Sequence, residues 1–124
     1  MSRITKFQRF IDEPMFEKTI MDVPGIDRAT AKEFDKVEIT KAIQIYILFK
    51  MIKMDEAKFK EFLRNCVGMS SRNVDECIDS LIQYNEKHED NEEFNCQYDE
   101  FKLKLQELLG KMVFYCNFLN IFLH

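Results

Sequence analysis

Residues 41–53, Lys-Ala-Ile-Gln-Ile-Tyr-Ile-Leu-Phe-Lys-Met-Ile-Lys, constrain the fold more than any other stretch of this chain. Ile43, Ile45, Ile47 and Phe49 alternate as a strand would, and β-branched residues favour an extended backbone. Yet Tyr46 and Leu48 fill the gaps, and no other run offers a partner strand. The stretch therefore reads as a helix that is apolar almost all round, and such a helix must be covered on more than one side. In a domain this small, the second side is expected to meet another chain.

Composition agrees with a helical protein. Three Gly and two Pro among 124 residues leave few tight turns, and twelve Phe with no Trp point to a core of Phe, Leu and Ile. The length fits one domain, with room for an appendage. A formal charge of -4 argues against nucleic-acid binding through bulk positive charge, while leaving room for a local basic patch. Cys66, Cys77, Cys96 and Cys116 have no C-x-x-C spacing, and His88 and His124 lie outside any ligand cluster, so neither a metal site nor a cofactor is expected. The N-terminus is too polar for a signal peptide, and the thiols read as reduced, which fits cytosol or nucleus.

Ile4, Phe7, Phe10 and Ile11 recur at helical spacing, which predicts a short amphipathic helix over 3–12 that Pro14 stops. Lys6 and Arg9 read as its solvated face. A second helix is predicted over 28–36, carrying Ala29, Ala31 and Phe34. Asp55 caps a further helix lined by Phe59, Phe62, Leu63 and Cys66, and Gly68 ends it. Ser70 or Ser71 then caps a long helix with Val74, Cys77, Ile78, Leu81 and Ile82 on one face. Cys66 and Cys77 read as core fillers. After Tyr84 the chain turns acidic, predicting a linker over 88–96 between a domain of residues 1–87 and a tail helix over 97–124. The tail run 112–123 is too short to span a bilayer; it reads as an extra core helix, with membrane contact the lesser alternative.

The segment Val23-Pro24-Gly25-Ile26-Asp27-Arg28 is a tight glycine turn opening a helix. Gly25 supplies a backbone conformation that other residues reach only with strain, and Asp27 can cap the helix. Unpaired N–H groups at such a helix start attract anions such as phosphate. Nothing resembles a nucleophile with its base, a P-loop or a metal-binding carboxylate cluster, so no catalytic residue and no enzyme are expected.

Phe10, Glu13-Pro14-Met15, Glu17-Lys18, Gly25-Ile26, Lys32, Lys41-Ala42, Asp55-Glu56, Phe59, Leu63, Gly68, Cys77 and Leu81 together resemble the barrier-to-autointegration factor family over residues 1 to about 86. The resemblance implies an all-α, compact five-helix domain containing a helix-hairpin-helix, here followed by a C-terminal helical extension. It implies a homodimer that grips and bridges double-stranded DNA through phosphates, and a groove between protomers that binds LEM-domain proteins of the nuclear envelope. Carried over by position, the DNA face would comprise Lys6, Gly25, Asp27, Ala29, Glu33, Ser71 and Arg72. The dimer and partner groove would draw on Ile43, Tyr46, Ile47, Leu48, Met51 and Ile52. An N-terminal Ser/Thr cluster that is phosphorylated to release DNA in the family is reduced here to Ser2 and Thr5.

Three departures bear on function. Asp27 stands where the family has a second hairpin glycine, Glu33 where it has a lysine, and Glu38 where it has a helix-ending glycine. Asp27 would accept the N–H groups a phosphate needs, and Glu33 adds a second negative charge, so the hairpin reads as intact but electrostatically blunted. Two functions follow. One is a nonspecific DNA-binding and bridging protein of chromatin, found in nucleus and cytoplasm and favoured by Lys6, Arg72 and the family. The other is a protein-interaction module that binds LEM-domain partners, or pairs with a DNA-competent relative, and holds DNA weakly or not at all; Asp27, Glu33 and the acidic linker favour it.

Overall fold

A computed structural model describes residues 4–88, 99–104 and 107. The chain is all-helical over the described residues, as the resemblance implies. Helix α1 spans Lys6–Asp12, α2 Arg28–Asp35, α3 Ala42–Met51, α4 Glu56–Glu61 and α5 Ser71–His88. A 3-10 turn, Ile20–Asp22, precedes α2, and α4 widens into a π-helical stretch at Phe62–Val67. Residues 99–104 are helical as well. The acidic run 89–93, Cys96, Cys116 and the apolar run 112–123 lie outside the described residues.

Local chemistry sets most of the boundaries. The Thr5 hydroxyl accepts the Gln8 N–H at 3.0 Å, so α1 begins at Lys6, three residues later than the periodicity predicts. Glu13, held extended by Pro14, ends it. Asp55 caps α4 on the Lys58 N–H at 3.1 Å. Gly68 closes the π-helical stretch at φ +83°. Of the two candidate caps for α5, Ser70 performs the task by accepting the Asn73 N–H at 3.3 Å, and Ser71 is the first helical residue. Glu38 ends the turn after α2 at φ +62°, so the fold does absorb a side chain in the left-handed region.

Helix α3 runs through the centre. Every residue from Ala42 to Phe49 is buried, and Ile43, Ile45, Ile47, Leu48 and Phe49 are fully so. Its two buried polar side chains are satisfied within the domain. Gln44 accepts the Thr40 and Lys41 N–H groups at 2.9 Å each, and the Tyr46 hydroxyl donates to Asn85 at 2.7 Å. The cover that the sequence assigns to a second chain is thus supplied within this one. The hydrophobic pattern is right that this helix is buried on all sides; it carries no information on which segments bury it.

Helix α5 closes the domain against α1. The Phe10 and Tyr84 rings lie 5.5 Å apart, and the Tyr84 and Tyr46 rings meet edge-on at 5.2 Å. The Tyr84 hydroxyl accepts the Met15 N–H at 3.1 Å across 69 residues, and burial pushes its phenol pKa up. At the end of α5, a His88 ring nitrogen bonds the Ile11 carbonyl at 2.8 Å, and Lys87 pairs with Asp12. Tyr84→Phe strands the Met15 N–H in an apolar interior, an expected loss of about 1–3 kcal/mol. Chemical denaturation of the variant measures it through a lowered midpoint at unchanged m.

Cys77 is buried and its thiol is pushed up to about 12 by that burial, as a core filler requires. Cys66 is half-buried against the core. Phe101 of the extension also packs against the core, beneath the Lys41 ammonium at 5.7 Å from its ring centre.

Candidate nucleic-acid interface

The turn 23–27 joins the 3-10 turn to α2, with the Ile26 N–H bonded to the Val23 carbonyl at 3.2 Å. Gly25 sits at φ +84°. A Cβ on it would lie 2.2 Å from the Asn73 carbonyl oxygen of α5, so both the backbone angle and the close approach exclude any side chain. That contact sets the hairpin against the start of α5, next to Ser71 and Arg72, both exposed. Lys6 reaches the same turn from α1, donating from Nζ to the Ile26 carbonyl at 3.0 Å. Three elements distant in sequence therefore meet at one edge.

Asp27 occupies the N-cap of α2. Its carboxylate accepts the Thr30 N–H at 2.8 Å, and that bond holds its pKa below the usual carboxylate range. The amide that an anion would use is thereby taken by the chain's own charge. Ala29 and Glu33 lie exposed one turn apart on α2, and Glu33 pairs with Lys36 at 2.9 Å. Such an exposed pair contributes little to stability, yet it offsets the negative charge Glu33 would otherwise present. Thr5, one of the two candidate phosphorylation sites, is the cap of α1; Ser2 lies outside the described residues.

The residues expected to line a partner groove stand differently. Ile43, Tyr46, Ile47, Leu48 and Ile52 are buried in the single chain, and Met51 is half-buried.

Periodicity places Lys6 on a solvated face, and no sequence signal gives Arg28 a role in the site. The Lys6 bond is invisible in sequence because it spans 20 residues. Charge also divides unevenly along the chain. Residues 1–88 hold 15 Lys and Arg against 15 Asp and Glu; residues 89–124 hold 3 against 7 and carry the whole formal charge of -4.

These features define a small all-helical protein with a glycine hairpin pinned between its first and last domain helices. Residues 1–88 match the family model of barrier to autointegration factor, and the chain belongs to that family. It is 28% identical over 79 residues to barrier-to-autointegration factor of Danio rerio, covering 64% of this chain and 88% of that one. The Homo sapiens protein of that name is 27% identical over 84 residues, covering 68% and 94%. Barrier-to-autointegration factor 1 of Caenorhabditis elegans is 24% identical over 84 residues, with the same coverage.

Proposed function

We propose that the protein binds double-stranded DNA without sequence preference, through phosphates, as a chromatin protein of the nucleus. One observation carries the reading: Gly25, Lys6 and Arg72 are drawn to a single exposed edge by the Asn73 contact and the Lys6–Ile26 bond. An edge made of backbone turn and long cationic side chains suits phosphates, whose spacing is the same in every duplex. The neutral domain lacks the field of a strongly basic protein, so binding is moderate and depends on these local charges.

Asp27 favours a second reading, in which the domain is an interaction module for LEM-domain proteins or for a DNA-competent relative. Its carboxylate holds the Thr30 amide that phosphate would take. Dimerisation belongs to this proposal too, through whatever surface remains once α3 is covered.

The two readings separate by substitution. Asp27→Gly frees the helix start and Glu33→Lys reverses a charge on the same helix, each with an expected gain of roughly 1 kcal/mol in DNA affinity. The gain is equal on unrelated duplexes and larger at low salt. Electrophoretic mobility shifts on two duplexes measure it. Wild type and both variants all failing to bind would leave the interaction module as the function.

A further inference from the structure

We infer that the main phosphate contacts of this chain lie beside the hairpin rather than at its blunted helix start, on a cationic track that crosses the 3-10 turn Ile20–Asp22. The inference rests on the DNA-binding reading and names the residues that carry it.

Two depressions flank that turn. One, of about 170 Å³, is lined by Ile4, Lys6, Arg9, Lys18 and Asp22 among others. The other, of about 450 Å³, is lined by Met21, Arg28, Lys32 and Asp35 among others. Asp22 lines the first, and its neighbours Ile20 and Met21 line the second, so the two lie on either side of the turn. Lys6 links the first to the hairpin through the Ile26 carbonyl, and Arg28 links the second to it through the adjoining Asp27.

The charges on this track do not cancel. Five cations line it against Asp22, Asp35 and the neighbouring Asp27, in a domain that is neutral as a whole. Two of those anions are engaged by their own helix starts. Asp22 accepts the Thr19 N–H at 2.9 Å, and Asp27 accepts that of Thr30. Lys18 is committed to Glu13 at 3.1 Å. Arg9, Arg28 and Lys32 are exposed and make no ion pair among the described residues. Arg28 and Lys32 stand one helical turn apart on α2, while Arg9 stands on α1 across the 3-10 turn. Cations on two helices either side of a narrow turn can engage successive phosphates of one backbone, and Arg does so with a planar fork that fits two phosphate oxygens. Arg28, one residue along, takes the phosphate that Asp27 turns away from the helix start.

Arg9→Glu and Arg28→Glu in the full chain test the track, with Arg64→Glu as an exposed charge-matched control off it. Fluorescence anisotropy on a duplex at low salt is expected to show about a tenfold loss for each track variant, less than twofold for the control, and a salt dependence flattened by about one unit per contact. Circular-dichroism melts should be unchanged, since all three side chains are exposed. Equal losses for all three variants would reduce the track to bulk charge and overturn the inference. A wild type that binds while both track variants bind equally well would overturn it and leave the DNA-binding reading standing. A wild type that does not bind at all overturns both.

Discussion

Gly25→Ala is expected to cost about 3 kcal/mol or more and to lower the melting temperature by well over 10 °C. Two separate effects add at this position. The left-handed backbone, φ +84°, costs an L-residue about 1–2 kcal/mol. The new Cβ also meets the Asn73 carbonyl at 2.2 Å, and the neighbour is backbone, so it cannot rotate aside. Relief requires α5 to move off the hairpin, which carries Arg72, the neighbour of Asn73, away from the turn. DNA binding should therefore fall together with stability. Gly68→Ala is the matched comparison. Its φ of +83° is nearly the same, but nothing lies within 4 Å of the added carbon, so only the backbone cost of about 1 kcal/mol applies. Thermal melts of the two variants side by side separate conformational strain from close approach. Similar losses for both would mean that the hairpin is not seated on α5.

Ile47→Glu is expected to abolish folding, with a loss above about 4 kcal/mol. Ile47 is fully buried in the middle of α3, and Coulomb partners for a carboxylate are absent from its apolar surroundings among the described residues. The variant should sediment as an expanded chain with a collapsed helical circular-dichroism signal. Had Ile47 lain on an open face covered only by a second copy, the same substitution would yield a folded monomer. A folded, monomeric Ile47→Glu protein would therefore contradict the interior placement of α3.

Features decided within one turn of chain are legible in the sequence. Asp27 and Asp55 cap the helices they precede because an N-cap bond reaches only three residues ahead, and Pro14 ends α1 through its immediate neighbour. The helical state of 42–51 is legible from the want of a partner strand. Long-range contacts are not. That Gly25 is required by Asn73, 48 residues on, cannot be read from a turn motif, and neither can the Tyr84 bond to Met15. The cover of α3 is hidden for the same reason: periodicity reports that a face is apolar and is silent on what packs against it. At the candidate interface, position-by-position transfer from the family reaches Lys6 and Arg72 but passes over Arg9, Arg28 and Lys32. Those cations acquire meaning only when α1, the 3-10 turn and α2 are folded around one another.

The central claim is that a neutral domain grips duplex DNA through a few local phosphate contacts. Binding of the full wild-type chain to two unrelated duplexes across a salt series tests it most directly. One line is expected for both sequences, with log affinity falling against log salt at a slope between about -2 and -5, as a small number of released counterions requires. Absence of binding at the lowest salt, or affinities that differ strongly between the two sequences, would contradict it.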